Sequence, residues 1–129
     1  MRRRVPRAAP RVVLRVAALG LLAQGAFSWG TLLGVAQPGL DFDTLVAAAR
    51  NLHVFLAVAC PVAALGAWFA SDWGPVIWAL VVIGLGVAVG APGGGAWIAP
   101  AFAAHGLALL AWSLLALAAE RRGDESRFG

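Results

Sequence analysis

Four apolar blocks without a single charge set the limits on what this chain can become. Residues 16–36, 54–70, 76–91 and 97–119 contain no Asp, Glu, Lys or Arg. A helix of about 20 residues crosses a hydrocarbon core of roughly 30 Å. The pattern predicts an all-α integral membrane four-helix bundle with spans over about 16–36, 46–70, 75–91 and 97–119. Composition agrees, since 61% of the 129 residues are hydrophobic and only 12% are charged. Soluble domains carry about twice that charge. The chain is therefore read as a single transmembrane domain over residues 1–129.

Arginine placement gives the expected threading. Six of the ten arginines precede Val16, three follow Glu120, and Arg50 alone lies between. Cytoplasmic flanks carry the excess of Lys and Arg, so the expectation is N-in, C-in, with a basic cytoplasmic tail over 1–15 and a charged one over 120–129. The net charge of +4 belongs to these tails, which argues against a nucleic-acid partner. Ten arginines with no lysine, beside abundant Ala, Gly and Pro, suggest a GC-rich bacterial coding sequence. The expected location is the bacterial inner membrane, with multi-pass topology. The Arg-rich start and Ala23-Gln-Gly25 also resemble a secretory signal, but the apolar run continues to Ala36 and favours a span.

Small residues should mark the helix contacts, because lipid tails are as apolar as leucine and bilayer helices associate by close packing. The ridges are Gly30/Gly34 in the first span, Ala59/Ala63/Ala67 in the second, Gly86/Gly90 in the third, and Ala99/Ala103 with Gly106 nearby in the fourth. Pro61 removes a backbone donor in mid-span and crowds the carbonyl of Ala57, so a kink is expected there.

Few residues could carry chemistry. No carboxylate or lysine lies within a span, which excludes paired-acid catalysis, membrane proton relays and Schiff-base chemistry of the usual kinds. Pro92-Gly-Gly-Gly95 lacks the Lys-Ser/Thr of a phosphate loop and reads as a turn. Cys60 is the sole cysteine; it excludes a multi-cysteine metal site and reads as a packing residue. No metal site is expected. His53 and His105 are the candidate cofactor ligands. Both fall in the outer part of the membrane on parallel helices, as the axial ligands of a b-type haem do in a four-helix bundle. The competing reading is ordinary interhelical hydrogen bonding or a place at the wet interface. Arg50 reads as an outer-interface residue that pairs with Asp41 or Asp43. Gln24, Ser28 and Thr31 share one face of the first span, suited to interhelical hydrogen bonds or a polar path.

The stretch Trp68-Phe-Ala-Ser-Asp-Trp-Gly-Pro-Val-Ile-Trp78 reads as a tight turn at the cytoplasmic face. Ser71 or Asp72 caps the next helix, Trp73 and Gly74 open it, Pro75 sits in its first turn, and the tryptophans lie at the interface. Together with Phe42-Asp43 and Cys60-Pro-Val-Ala-Ala-Leu-Gly-Ala-Trp68, this stretch resembles the small bacterial inner-membrane proteins grouped as domain of unknown function six-one-six-three. The resemblance covers about residues 40–90. It implies a four-span protein and supplies no catalytic residue.

The leading functional expectation is a non-enzymatic protein that acts through helix packing as an accessory or assembly subunit of a membrane complex, or through self-association, with the lipid bilayer as its other partner. No cofactor is expected on that reading. Haem b enters only with the alternative of a membrane redox protein using His53 and His105; a small transporter or channel component is the other alternative.

Overall fold

The computed structural model describes residues 8–91 and 95–125. All four apolar segments are helical: α1 (Ala8–Leu32), α2 (Ala47–Trp68), α3 (Trp73–Ala88) and α4 (Ile98–Glu125). Three contain stretches long and apolar enough to cross a membrane, Pro10–Leu32, Ala47–Trp68 and Ile98–Arg121, and α3 is a shorter apolar helix of 16 residues. At 1.5 Å per residue α3 is only about 24 Å long. It packs along the C-terminal part of α2, from Gly66, which meets Gly74, to Phe55, which meets Gly84.

α1 and α4 exceed their expected spans at the ends that carry the termini. Helix α1 starts at Ala8, so Arg11 and Arg15 of the expected basic tail stand on helix, and α4 continues to Glu125. Residues 1–7 and 126–129 of the two expected tails, and residues 92–94 of the expected glycine turn, lie outside the described residues.

Each helix packs on its neighbours in chain order and α4 closes on α1; the pairs α1–α3 and α2–α4 are the diagonals. Neighbours are antiparallel: Gly25 faces Pro61 while Trp29 reaches Ala57, and Gly86 faces Phe102 while Trp78 reaches His105. The core consists of Leu14, Ala17, Ala18 and Leu21 of α1, Leu56, Cys60, Ala63, Ala64 and Ala67 of α2, and Trp78, Val81, Leu85 and Ala88 of α3, with Ile98 at the head of α4. Of the Ala59/Ala63/Ala67 ridge, Ala63 and Ala67 are fully buried and Ala59 is partly buried against the core. Cys60 is fully buried beside Gly25 and serves as a small packing residue.

The glycine spacings play different parts from those expected. Gly34 adopts a positive φ of 71° and ends α1. The Val35 and Ala36 amides both donate to the Gly30 carbonyl, at 2.8 and 2.9 Å. Gly30 and Gly34 thus turn the chain rather than meet another helix. The tight interhelical contacts lie elsewhere. A Cβ on Gly66 would come 2.5 Å from the Gly74 Cα, and one on Gly25 would come 2.8 Å from Pro61 Cδ. Gly86 does serve a seam, under the ring of Phe102, whereas Gly90 meets nothing.

Pro61 sits inside a continuous α2. The proline lacks the N–H that would bond the carbonyl of Ala57, and an unpaired backbone group is costly in lipid. The Trp29 indole N–H donates to that carbonyl at 2.9 Å. One turn earlier on α1, Gly25 makes room for the proline ring.

The α2–α3 turn differs from expectation in its cap. Asp72 precedes α3 with helical angles, φ −62° and ψ −29°, and makes no side-chain capping bond. Capping by a side chain needs an extended residue at that position. Here the chain passes from a Schellman turn directly into helix: Ser71 N–H donates to Gly66 O at 2.9 Å, and Ala70 N–H to Ala67 O at 3.1 Å. Ala70 takes the left-handed position, with φ 51°. Trp73, Gly74 and Pro75 form the first turn of α3. Trp68 and Trp73 are exposed, but Trp78 is fully buried rather than interfacial.

Candidate functional site

At the end of the bundle opposite the termini, where α2 and α4 begin, a small cavity of about 70 Å³ is lined by Leu45, Ala49, Leu52, His53, Trp97 and Ile98, among others. His53 is only 3% exposed. Its ring centroid lies 5.3 Å from that of Trp97 and 6.1 Å from that of Phe27. Phe27 and Trp97 meet edge to face at 5.5 Å. Helices α1 and α2 and the turn that leads into α4 thus supply an aromatic box, and helix periodicity explains the place of His53, which faces inward with Ala49, Leu56, Ala57 and Cys60. The Nδ1 atom of His53 is buried with no hydrogen-bond partner. A buried polar atom of this kind calls for a water or a ligand.

His105 occupies a different layer. Its ring faces Gly20 of α1, and its Nδ1 accepts a hydrogen bond from the Trp78 indole N–H at 3.3 Å. In the neutral ring the proton then resides on Nε2. Phe27 and Gly20 are seven positions apart on α1, and Trp97 and His105 eight positions apart on the α4 side. The two intervals correspond to about 10–12 Å at about 1.5 Å per residue, roughly twice the depth difference of about 5 Å that residue counting suggests. The structure therefore brings each histidine to an aromatic neighbour and does not bring the two to one site.

The polar face of α1 divides in two. Thr31 Oγ1 donates back to the carbonyl of Phe27 at 3.0 Å. Gln24 Nε2 and Ser28 Oγ are buried without partners, like His53 Nδ1. Arg50 lies over the ring of Phe42, 5.0 Å from its centroid, rather than on Asp41 or Asp43. The Asp41 carboxylate is already engaged. Its Oδ1 accepts the amides of Asp43 and Thr44 at 3.1 and 3.0 Å and the Thr44 hydroxyl at 3.0 Å. The Thr44 amide first, then its hydroxyl, holds the Asp41 carboxyl below its ordinary range.

Sequence reasoning passed over Phe27, Trp97, Trp29 and Gly25. Each sits among other apolar or small residues, where spacing alone selects none of them. The one available signal was Pro61, whose orphaned carbonyl requires a donor from somewhere.

Neither a curated protein nor a solved structure matches the chain. A family of unknown function, DUF6163, matches residues 9–123. The match reaches across all four helices, well beyond residues 40–90. With its helices, its fingerprint turn and this match, the chain belongs to the DUF6163 family.

Proposed function

We propose that this is an integral protein of the bacterial inner membrane, threaded N-in and C-in, that acts through helix packing as an accessory or assembly subunit rather than as a catalyst. The observation that carries this reading is the state of α4. Its apolar stretch is long enough to span, yet apart from Ile98 at its head no residue of that stretch is fully buried within the bundle, against half of the α2 window. Ala99 and Ala103, the small residues of its ridge, remain exposed. Small residues are what a neighbouring helix packs against in lipid. Arginine placement supports the threading.

Cysteine crosslinking in native membranes tests the proposal, in a Cys60→Ala background. Ala103→Cys is expected to give one discrete adduct with another membrane subunit or a second copy, and Val62→Cys on α2 none. A chain that stays uncrosslinked at both positions, and purifies alone in mild detergent, overturns it.

A second reading, a small transport component, draws on the unpartnered Gln24, Ser28 and His53 atoms. Solute flux into proteoliposomes at the rate of empty vesicles counts against it.

A further inference from the structure

A larger cavity, of about 250 Å³, opens at the end of the bundle that carries the termini, between the start of α1 and the end of α2. It is lined by Arg11, Arg15, Ala67, Trp68, Phe69 and Ala70. We propose that this cavity binds the phosphate of an anionic phospholipid headgroup, gripped by Arg11 and Arg15.

Four observations converge. The two arginines are four residues apart on α1, so they project from one face of the helix. No carboxylate is among the described residues that line the cavity, Arg11, Arg15, Ala67, Trp68, Phe69 and Ala70. The Arg15 guanidinium carbon lies 5.7 Å from the Trp68 ring centroid. Stacking uses the flat face of a guanidinium and leaves the N–H edges free to fork onto an oxyanion. Finally, the Schellman turn already consumes the Gly66 and Ala67 carbonyls at the end of α2, so fewer backbone acceptors compete for the arginines.

Free phosphate offers the same chemistry, but the setting favours a lipid. The cavity is far larger than the roughly 10–15 Å³ that admits one water, so it has room for a phosphodiester and its glycerol. Its aromatic wall, Trp68 and Phe69, is 47% and 72% exposed. Exposed aromatics at the end of a spanning helix mark the headgroup level, where acyl chains lie alongside. Basic pockets between helices recognise anionic headgroups in this way.

The test uses the full chain in neutral detergent, with lipid binding counted by native mass spectrometry. Phosphatidylglycerol is expected to bind in preference to phosphatidylcholine. Arg11→Gln combined with Arg15→Gln should weaken that binding about tenfold or more, the order expected when two charge-assisted contacts are lost. Arg121→Gln, outside the cavity, should leave it unchanged. Both arginines are exposed, and an unaltered melting temperature of the double variant assigns the loss to the site. Equal binding of the two lipids, or wild-type affinity in the double variant, overturns the proposal. Displacement of phosphatidylglycerol by excess inorganic phosphate overturns the lipid as the source of the phosphate.

Discussion

Helices α2 and α4 are both apolar and both long enough to cross a bilayer, yet half of the α2 window is buried inside the bundle, whereas in α4 only Ile98 is buried and the rest of its inward face is only partly buried. They occupy equivalent places, each packed against α1 and α3. What differs is side-chain size on the inward face. Helix α2 presents mostly small residues, Ala49, Ala57, Cys60, Ala63, Ala64, Gly66 and Ala67, with His53 and Leu56 among them, and two of its contacts approach backbone to backbone or backbone to ring. Helix α4 sets His105, Leu109 and Trp112 among the smaller Ala101 and Ala108 on its inward face, none of them fully buried. In lipid, where burial of apolar surface gives little, close approach decides which helix is held. That difference can be broken or sharpened by substitution.

The largest effect is expected at the α2–α3 seam. Gly66→Leu or Gly74→Leu places a side chain where the partner backbone already sits, and should abolish the folded bundle. Gly90→Leu, in open space, and Ala103→Leu on exposed α4 should leave the isolated chain unaffected. Resistance to proteolysis in detergent, with melting followed by circular dichroism, reads all four. Tolerance of Gly74→Leu would remove the basis of the comparison.

Next comes the Trp29 bond. Trp29→Phe leaves the Ala57 carbonyl unpaired in the membrane, a loss of about 1–3 kcal/mol for a buried orphaned group. In a Pro61→Ala background the helix supplies its own amide to that carbonyl, so Trp29→Phe should become nearly neutral. Trp78→Phe, the corresponding loss at the α3–α4 seam, should cost less, about 0.6 kcal/mol. A double-mutant cycle that shows no coupling between positions 29 and 61 would refute this account.

A gain follows at the end of α2. Ala70 holds a left-handed conformation that a side chain disfavours by roughly 1–2 kcal/mol. Ala70→Gly should therefore stabilise the protein by about 1 kcal/mol, whereas Gly34→Ala at the matching position of α1 should destabilise it. Equal and same-signed shifts in melting temperature would contradict the shared geometry.

The smallest effect concerns the loop before α2. The folded-state pKa of Asp41 is depressed below its ordinary 3.8. The stability this contributes is present above that value and is lost as pH falls through the folded pKa. Hydrogen exchange at the Asp43 and Thr44 amides should accelerate across that window relative to neighbouring amides, and Asp41→Ala should remove the dependence.

Charge-free blocks of the right length and the Trp68–Trp78 stretch were enough to place four helices, their order, the reversal between α2 and α3, and the family. These properties depend on hydropathy and on local backbone chemistry, both carried by adjacent residues. The partners of individual side chains were not legible. Gly30 and Gly34 have the spacing of a helix-packing motif and instead close α1, because a positive φ at Gly34 ends the helix before it can pack. His53 and His105 count to nearly the same depth, yet Phe27, Trp97 and Trp78 hold them in separate layers. Pro61 announces an unpaired carbonyl, but only the crossing of α1 over α2 brings the Trp29 indole to it. Sequence spacing specifies position along one helix; which faces meet depends on the rotation and offset of its neighbours, and these are set by side-chain contacts that exist only once all four helices have packed.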